Sequence, residues 1–225
     1  MKLHRITIYT GNYGSGKTEI ALNTALLLAE TGKTTLVDLD IVNPYFRSSE
    51  KAAMLEDRGI TVIRPTFAET AIDIPAVGAE VMSVFSDREA HIVFDVGGDP
   101  VGATALGRYH EHFAREDYAM YCVVNTRRPL SGTPEAITEM LQKIESRSRL
   151  KATGFIHNSN LGKDTDLSDI KEGAHTVRAA SKLAGIPIAY TCGRKDVLDA
   201  FKPYMTGEDG EPFAITPYMR PEWID

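Results

Sequence analysis

The sequence predicts a three-layer α/β protein, with a mainly parallel central sheet of about seven strands and helices on both faces. Two observations carry that expectation. Short runs of strand-forming residues recur at 5–10, 34–39, 60–63, 91–95, 118–124, 152–157 and 186–190, separated by longer amphipathic segments. Each run is nearly continuous in apolar residues instead of alternating, which suits parallel strands buried on both faces, and the spacings leave room for crossover helices.

The helical segments have readable ends. Ala21, Ala25, Leu28 and Ala29 recur at helical spacing after Lys17, and Gly32 is the expected left-handed stop. Ser131 and Pro134 open a segment carrying Ile137, Leu141 and Ile144 on one face, and a third segment over 169–184 ends at Gly185 and Pro187. The expected organisation is one domain over 1–206 and a C-terminal extension over 207–225 that wraps the domain instead of forming its own.

Composition narrows the function classes. With 225 residues, 43% of them hydrophobic, the chain can bury one large core. A net charge of −6 supplies no field that would attract a nucleic-acid backbone or an anionic membrane, so neither is an expected partner. The apolar stretch after the first residues is too short for a signal-peptide core or a membrane span, and the expected location is the cytoplasm. The cysteines, Cys122 and Cys192, form no Cys-x-x-Cys, which disfavours a disulfide framework or a zinc or iron–sulfur site within one chain. His110 and His112 are two apart on a predicted helix and face different ways, so they make no ligand pair.

The chemistry is concentrated in Gly11-Asn12-Tyr13-Gly14-Ser15-Gly16-Lys17-Thr18, a Gly-x-x-x-x-Gly-Lys-Thr pattern placed between a predicted strand and a predicted helix. Glycines let successive backbone N–H groups turn inward as an anion cradle, and the helix adds the positive end of its dipole. Lys17 is expected on the β and γ phosphates and the Thr18 hydroxyl on Mg²⁺. A second element, His91-Ile92-Val93-Phe94-Asp95, ends a strand in a carboxylate suited to hold a metal-bound water. Gly97 and Gly98 follow it and can bring backbone N–H groups to the γ-phosphate, whereas Asp99 has no clear role. The third element carries Asp38 and Asp40 directly after the second strand. Two carboxylates there repel unless a cation stands between them, and Mg²⁺ with an attacking water supplies the reason to keep both.

Together these elements resemble the P-loop NTPases of the MinD, ParA, CobQ and CobB group over about 5–190. The resemblance implies a metal-associated role for Asp38, a water-activating role for Asp40, the Walker B role for Asp95, and the group's seven- or eight-stranded sheet. One departure stands out. The group's signature lysine, which reaches across a nucleotide-dependent homodimer, is replaced by Asn12, with Tyr13 after it. Arg47, Arg127 and Arg128, in loops after the second and fifth strands, are candidate substitutes. The cysteine pair of iron–sulfur carriers is absent, and there is no room for the glutaminase domain of the amidotransferases.

Group members place a base-reading asparagine after the sixth strand, where this chain has Asn158. Guanine recognition usually needs an aspartate three positions on, but that position is Leu161, so adenine is expected, bonded at N6 and N7 by the Asn158 amide. Thr191, Cys192 and Gly193 are expected to cover the base from the other side. The cofactors expected are therefore ATP and Mg²⁺. The leading function is a slow ATPase acting as a nucleotide switch on an unidentified client protein or metabolite, through loops at 43–49 and 97–103. Competing functions are an ATP-dependent small-molecule kinase or ligase related to dethiobiotin synthetase, with substrate beside Asp40, Tyr45 and Arg47, and a non-hydrolysing nucleotide-binding module.

Overall fold

The computed structural model describes residues 4–40, 51–64, 74–98 and 100–219. Arg47, Asp99 and the 43–47 motif lie outside them. Eight strands form one sheet in the order β3-β2-β4-β1-β5-β6-β7-β8. They are β1 (Ile6–Gly11), β2 (Thr34–Leu39), β3 (Ile60–Ile63), β4 (His91–Val96), β5 (Tyr118–Val124), β6 (Gly154–His157), β7 (Ile188–Gly193) and β8 (Glu211–Ala214). All neighbours pair in parallel. The helices are α1 (Lys17–Ala29), α2 (Ala52–Glu56), α3 (Ile74–Ser86), α4 (Pro100–Gly107), α5 (His110–Phe113), α6 (Pro134–Ser148), α7 (Leu167–Ala184) and α8 (Lys195–Phe201). Among the described residues no helix is long and apolar enough to cross a membrane.

Alternation along the strands divides the core in two. Ile6 and Ile8 of β1, Phe94 of β4 and Met120 of β5 face a layer with Val81 and Phe85 of α3, Leu106 of α4, Phe113 of α5, Ile137 and Leu141 of α6 and Val177 of α7. Tyr9, Leu36, Val93, Tyr121 and Ile156 face the opposite layer, dominated by Ile20, Ala21, Ala25 and Leu28 of α1. Both faces of the sheet are thus buried, which is why the strands read as continuous apolar runs.

Local chemistry sets the ends of α6 and α7. Thr133 caps α6 by accepting from the Ala136 N–H at 3.2 Å, ahead of Pro134 at the first helical position. Asp166 and Asp169 form a reciprocal capping box, so α7 starts at Leu167, two residues before the predicted start, and Gly185 closes it at φ 71°. The expectation for Gly32 differs from the structure. Gly32 is not among the left-handed glycines, and α1 closes with the N–H groups of Thr31 and Gly32 both on the Leu28 carbonyl, at 3.0 and 3.1 Å. The carbonyls are satisfied by this tightened turn, so no left-handed residue is required there.

Candidate functional site

The β2 and β4 ladder pairs Asp38 directly with Asp95 at the C-terminal ends of the two strands. By parity both follow Leu36 and Val93, whose side chains lie in the α1-side core, so both carboxylates face the start of α1. Asp95 is fully buried, and neither of its oxygens has a hydrogen bond of good geometry among the described residues. Burial, reinforced by Asp38, pushes its carboxyl up to about 7, while Lys17 and the nearby Thr18 hydroxyl pull the other way. A buried carboxylate with open lone pairs beside a second carboxylate suits a cation. Among the described residues no three carboxylate, histidine or cysteine groups converge as a metal cage. A divalent ion here would therefore take most of its ligands from phosphate oxygens and water, as Mg²⁺ commonly does.

The 11–18 loop, the candidate phosphate loop, turns sharply at its glycines. Gly11, Gly14 and Gly16 all have positive φ. Gly16 is the N-cap of α1 at φ 91°, and no side chain among the described residues caps that helix, which leaves its first N–H groups facing the loop as an anion site. A Cβ on Gly16 would overlap the Asn158 amide as well as strain the backbone. Lys17 is buried and bonds the Asn12 carbonyl at 3.0 Å, and the Ser15 N–H reaches the same carbonyl at 3.2 Å. Gly98 lies so close that a Cβ there would come within 2.7 Å of both Lys17 Nζ and the Tyr13 nitrogen, and one on Gly97 would sit 3.0 Å from Asp40 Oδ1. The loop after β4 thus touches both the phosphate loop and Asp40. The Asp40 N–H donates to Asp38 Oδ1 at 3.0 Å.

A cavity of about 630 Å³ opens over this cluster, lined in part by Tyr13, Gly14, Gly16, Lys17, Thr18 and Asp40. Arg128 and Arg194 also reach it. Asn158 lies in its wall, but its amide Nδ2 donates to the Ser15 carbonyl at 2.7 Å, bracing the phosphate loop, and Oδ1 has no partner among the described residues. The Cys192 side chain is buried among Tyr9, Ile156 and Tyr190 instead of facing the cavity, because its parity places it in the α1-side core; Gly193 and Arg194 form the wall there. Thr191 is also buried, its hydroxyl donating to the Asp209 carbonyl at 2.7 Å.

The candidate arginines separate. Arg127 pairs with Asp169 at 2.8 Å and Glu172 at 2.7 Å, which ties it to α7. Arg128 donates from Nε to the Gly14 carbonyl at 3.1 Å and stands at the phosphate loop. Asn12 also faces inward, its Nδ2 donating to the Leu130 carbonyl at 3.0 Å and Ser131 Oγ at 2.9 Å. Residues that sequence reasoning left aside complete the wall: Glu19, Asp164, Arg194 and, from the C-terminal segment, Ile215, Pro217 and Met219. Glu19 had a local signal in its position directly after Thr18. Arg194 likewise follows Gly193 and Asp164 lies in the loop after Asn158, whereas the C-terminal residues are brought in only by tertiary packing.

Solved structures share this architecture. The signal recognition particle 54 kDa protein from Aeropyrum pernix in complex with GDP matches with TM-score 0.53 and 18% identity, over 83% of this chain and 40% of that one. The signal recognition particle receptor FtsY from Elizabethkingia anophelis in complex with GDP matches with TM-score 0.51 and 14% identity, over 85% of this chain and 57% of that one. FtsY from Mycoplasma mycoides matches with TM-score 0.50 and 15% identity, over 83% and 58%. This chain therefore spans well under two thirds of each, and at such identities the likeness carries the fold alone. No family model matches the chain, and no curated protein gives a significant sequence match. The fold is that of a P-loop NTPase.

Proposed function

We propose that the chain is a Mg²⁺-dependent nucleotide-binding switch that hydrolyses ATP slowly and signals to a client protein or metabolite. One observation carries this reading: the uncapped N-terminus of α1, Lys17, Thr18 and the Asp38–Asp95 pair converge beneath a single cavity. In this reading the loop N–H groups and Lys17 hold the phosphates, and Thr18 and Asp95, with Asp38 beside them, hold the metal ion. Mg²⁺ would neutralise charge on the phosphate oxygens. Asp40, partly exposed and lining the cavity, orients the attacking water and accepts its proton. In the same reading 1–206 is the P-loop domain and 207–225 its C-terminal extension, of which 211–219 add the edge strand β8 and part of the cavity wall.

GTP is the second reading, and two observations favour it. Asp164 lines the same cavity and could accept from the N1–H and amine of guanine, and two of the similar structures hold GDP. The test is thermal unfolding of the wild type and Lys17→Ala with Mg-ATP and Mg-GTP. At ligand a hundredfold above Kd, stabilisation of about 2.7 kcal/mol should raise Tm by roughly 5–10 °C, and Lys17→Ala should remove the shift. A larger shift with GTP would reassign the base, and no shift with either nucleotide would refute the reading.

A further inference from the structure

After β8 the chain crosses to α1 and is clasped there by two side chains from the first turns of that helix. Asn23 pairs with the Thr216 backbone in both directions, Nδ2 donating to the carbonyl at 2.8 Å and Oδ1 accepting the N–H at 2.8 Å. Glu19 accepts the N–H of Tyr218 at 2.8 Å and that of Met219 at 2.6 Å, one on each carboxylate oxygen. Met219 is buried in the α1-side core, and Ile215 and Tyr218 pack against it. The segment is therefore fastened by polar bonds on one side and apolar packing on the other.

Its contribution to the cavity is chemically distinct from that of the phosphate loop. Ile215, Pro217 and Met219 line the cavity with apolar side chains, whereas at the loop end Lys17, Arg128 and the start of α1, with no side-chain cap among the described residues, supply positive charge. Apolar side chains gain nothing from phosphate oxygens, but they match the flat faces of a nucleobase and the carbon skeleton of a sugar.

Resting on the nucleotide reading above, we propose that residues 215–219 form the nucleoside-facing wall of the site, held in place by Glu19 and Asn23. The strap recognises base and sugar and leaves the phosphates to the loop. A segment that merely anchored the sheet edge would alter stability without distinguishing one ligand from another.

Calorimetric titration of the full chain with Mg-ATP, Mg-GTP and Mg-tripolyphosphate separates these roles. Two variants are compared with the wild type: the clasp double variant Glu19→Gln with Asn23→Ala, and Ile215→Ser, which leaves the clasp intact. The wild type should bind its preferred nucleotide at least ~10-fold more tightly than tripolyphosphate. Each variant should lose about 10-fold in nucleotide affinity and hold tripolyphosphate within about twofold, which also shows that it is folded. If the double variant does not fold, Ile215→Ser decides. Equal losses for both ligands, or unchanged nucleotide affinity, would overturn the proposal. A wild type that binds tripolyphosphate and nucleotide equally well refutes the strap's role alone, whereas one that binds neither refutes the nucleotide site itself.

Discussion

Asp40 differs from its two neighbouring aspartates in what surrounds it. Asp38 and Asp95 are buried side by side, while Asp40 is partly exposed, lines the cavity and sits beside Gly97. A carboxylate that meets both water and the phosphate end is placed to take a proton, whereas one shut in the strand ends is placed to face a cation. Asp40→Asn should therefore keep nucleotide affinity within a few-fold, while single-turnover hydrolysis falls by about 10² to 10⁴. Equal turnover in the two proteins would remove Asp40 from the chemistry and favour a binding module. At this scale the candidate site is most legible in the sequence where it lies in a contiguous string. Lys17 and Thr18 are fixed by spacing alone, because the strand, loop and helix that present them are consecutive. Asn12 and Asn158 are less legible, since the groups their amides bond, Leu130 and Ser131 for one and Ser15 for the other, lie 118 to 143 positions away.

At the scale of elements, β6 and α7 enclose an ionisable group that the proposed chemistry does not use. His157 is fully buried at the end of β6, and neither ring nitrogen has a partner among the described residues. Burial holds its pKa down at about 4, with Asp209 raising and Arg178 further lowering it. The unfolded chain takes up a proton below about pH 6.5, and the folded protein does so only near pH 4. The neutral ring's stabilising contribution is thus complete above about pH 6.5 and is lost as pH falls toward 4. His157→Gln should flatten the decline in Tm over that window when compared with the wild type by calorimetry. Asp95, whose carboxyl is pushed up, gives a slope of opposite sign that is common to both proteins and cancels. Parallel decline in the two proteins would show that His157 is already protonated or solvated. Seven of the strands are legible because each is an apolar run in the buried sheet. The eighth, Glu211-Pro212-Phe213-Ala214, is mostly exposed, and it carries a proline that an edge position tolerates. Its pairing with β7 is set by tertiary packing, for which a four-residue string has no periodic signature.

On the scale of the whole molecule, the proposed hydrolysis raises the question of where a cation for phosphoryl transfer would come from. Asn12 is the second residue of the glycine-rich loop, and its side chain bonds the turn Pro129–Ser131 of its own chain. That turn also carries the approach of Arg128 to the Gly14 carbonyl. The loop is thus built to fasten inward, and the expected consequence is slow hydrolysis by the isolated protein, well below the ~1–100 s⁻¹ typical of kinases with a complete catalytic set. Single-turnover hydrolysis over a wide range of protein concentration should show this for the wild type, and Arg128→Ala should lower the residual rate further. Asn12→Lys should not raise turnover, because it replaces two short-range bonds to Leu130 and Ser131 without a partner site for the new charge. Addition of the client should accelerate the reaction, since one correctly placed arginine can contribute ~10³ to 10⁵ in rate. A rate that climbs steeply with protein concentration would instead identify a second copy of the chain as the activator. Fast, concentration-independent hydrolysis that Arg128→Ala leaves unchanged would overturn the switch reading and point to a self-sufficient enzyme, with the transferred phosphoryl group bound for a small-molecule acceptor.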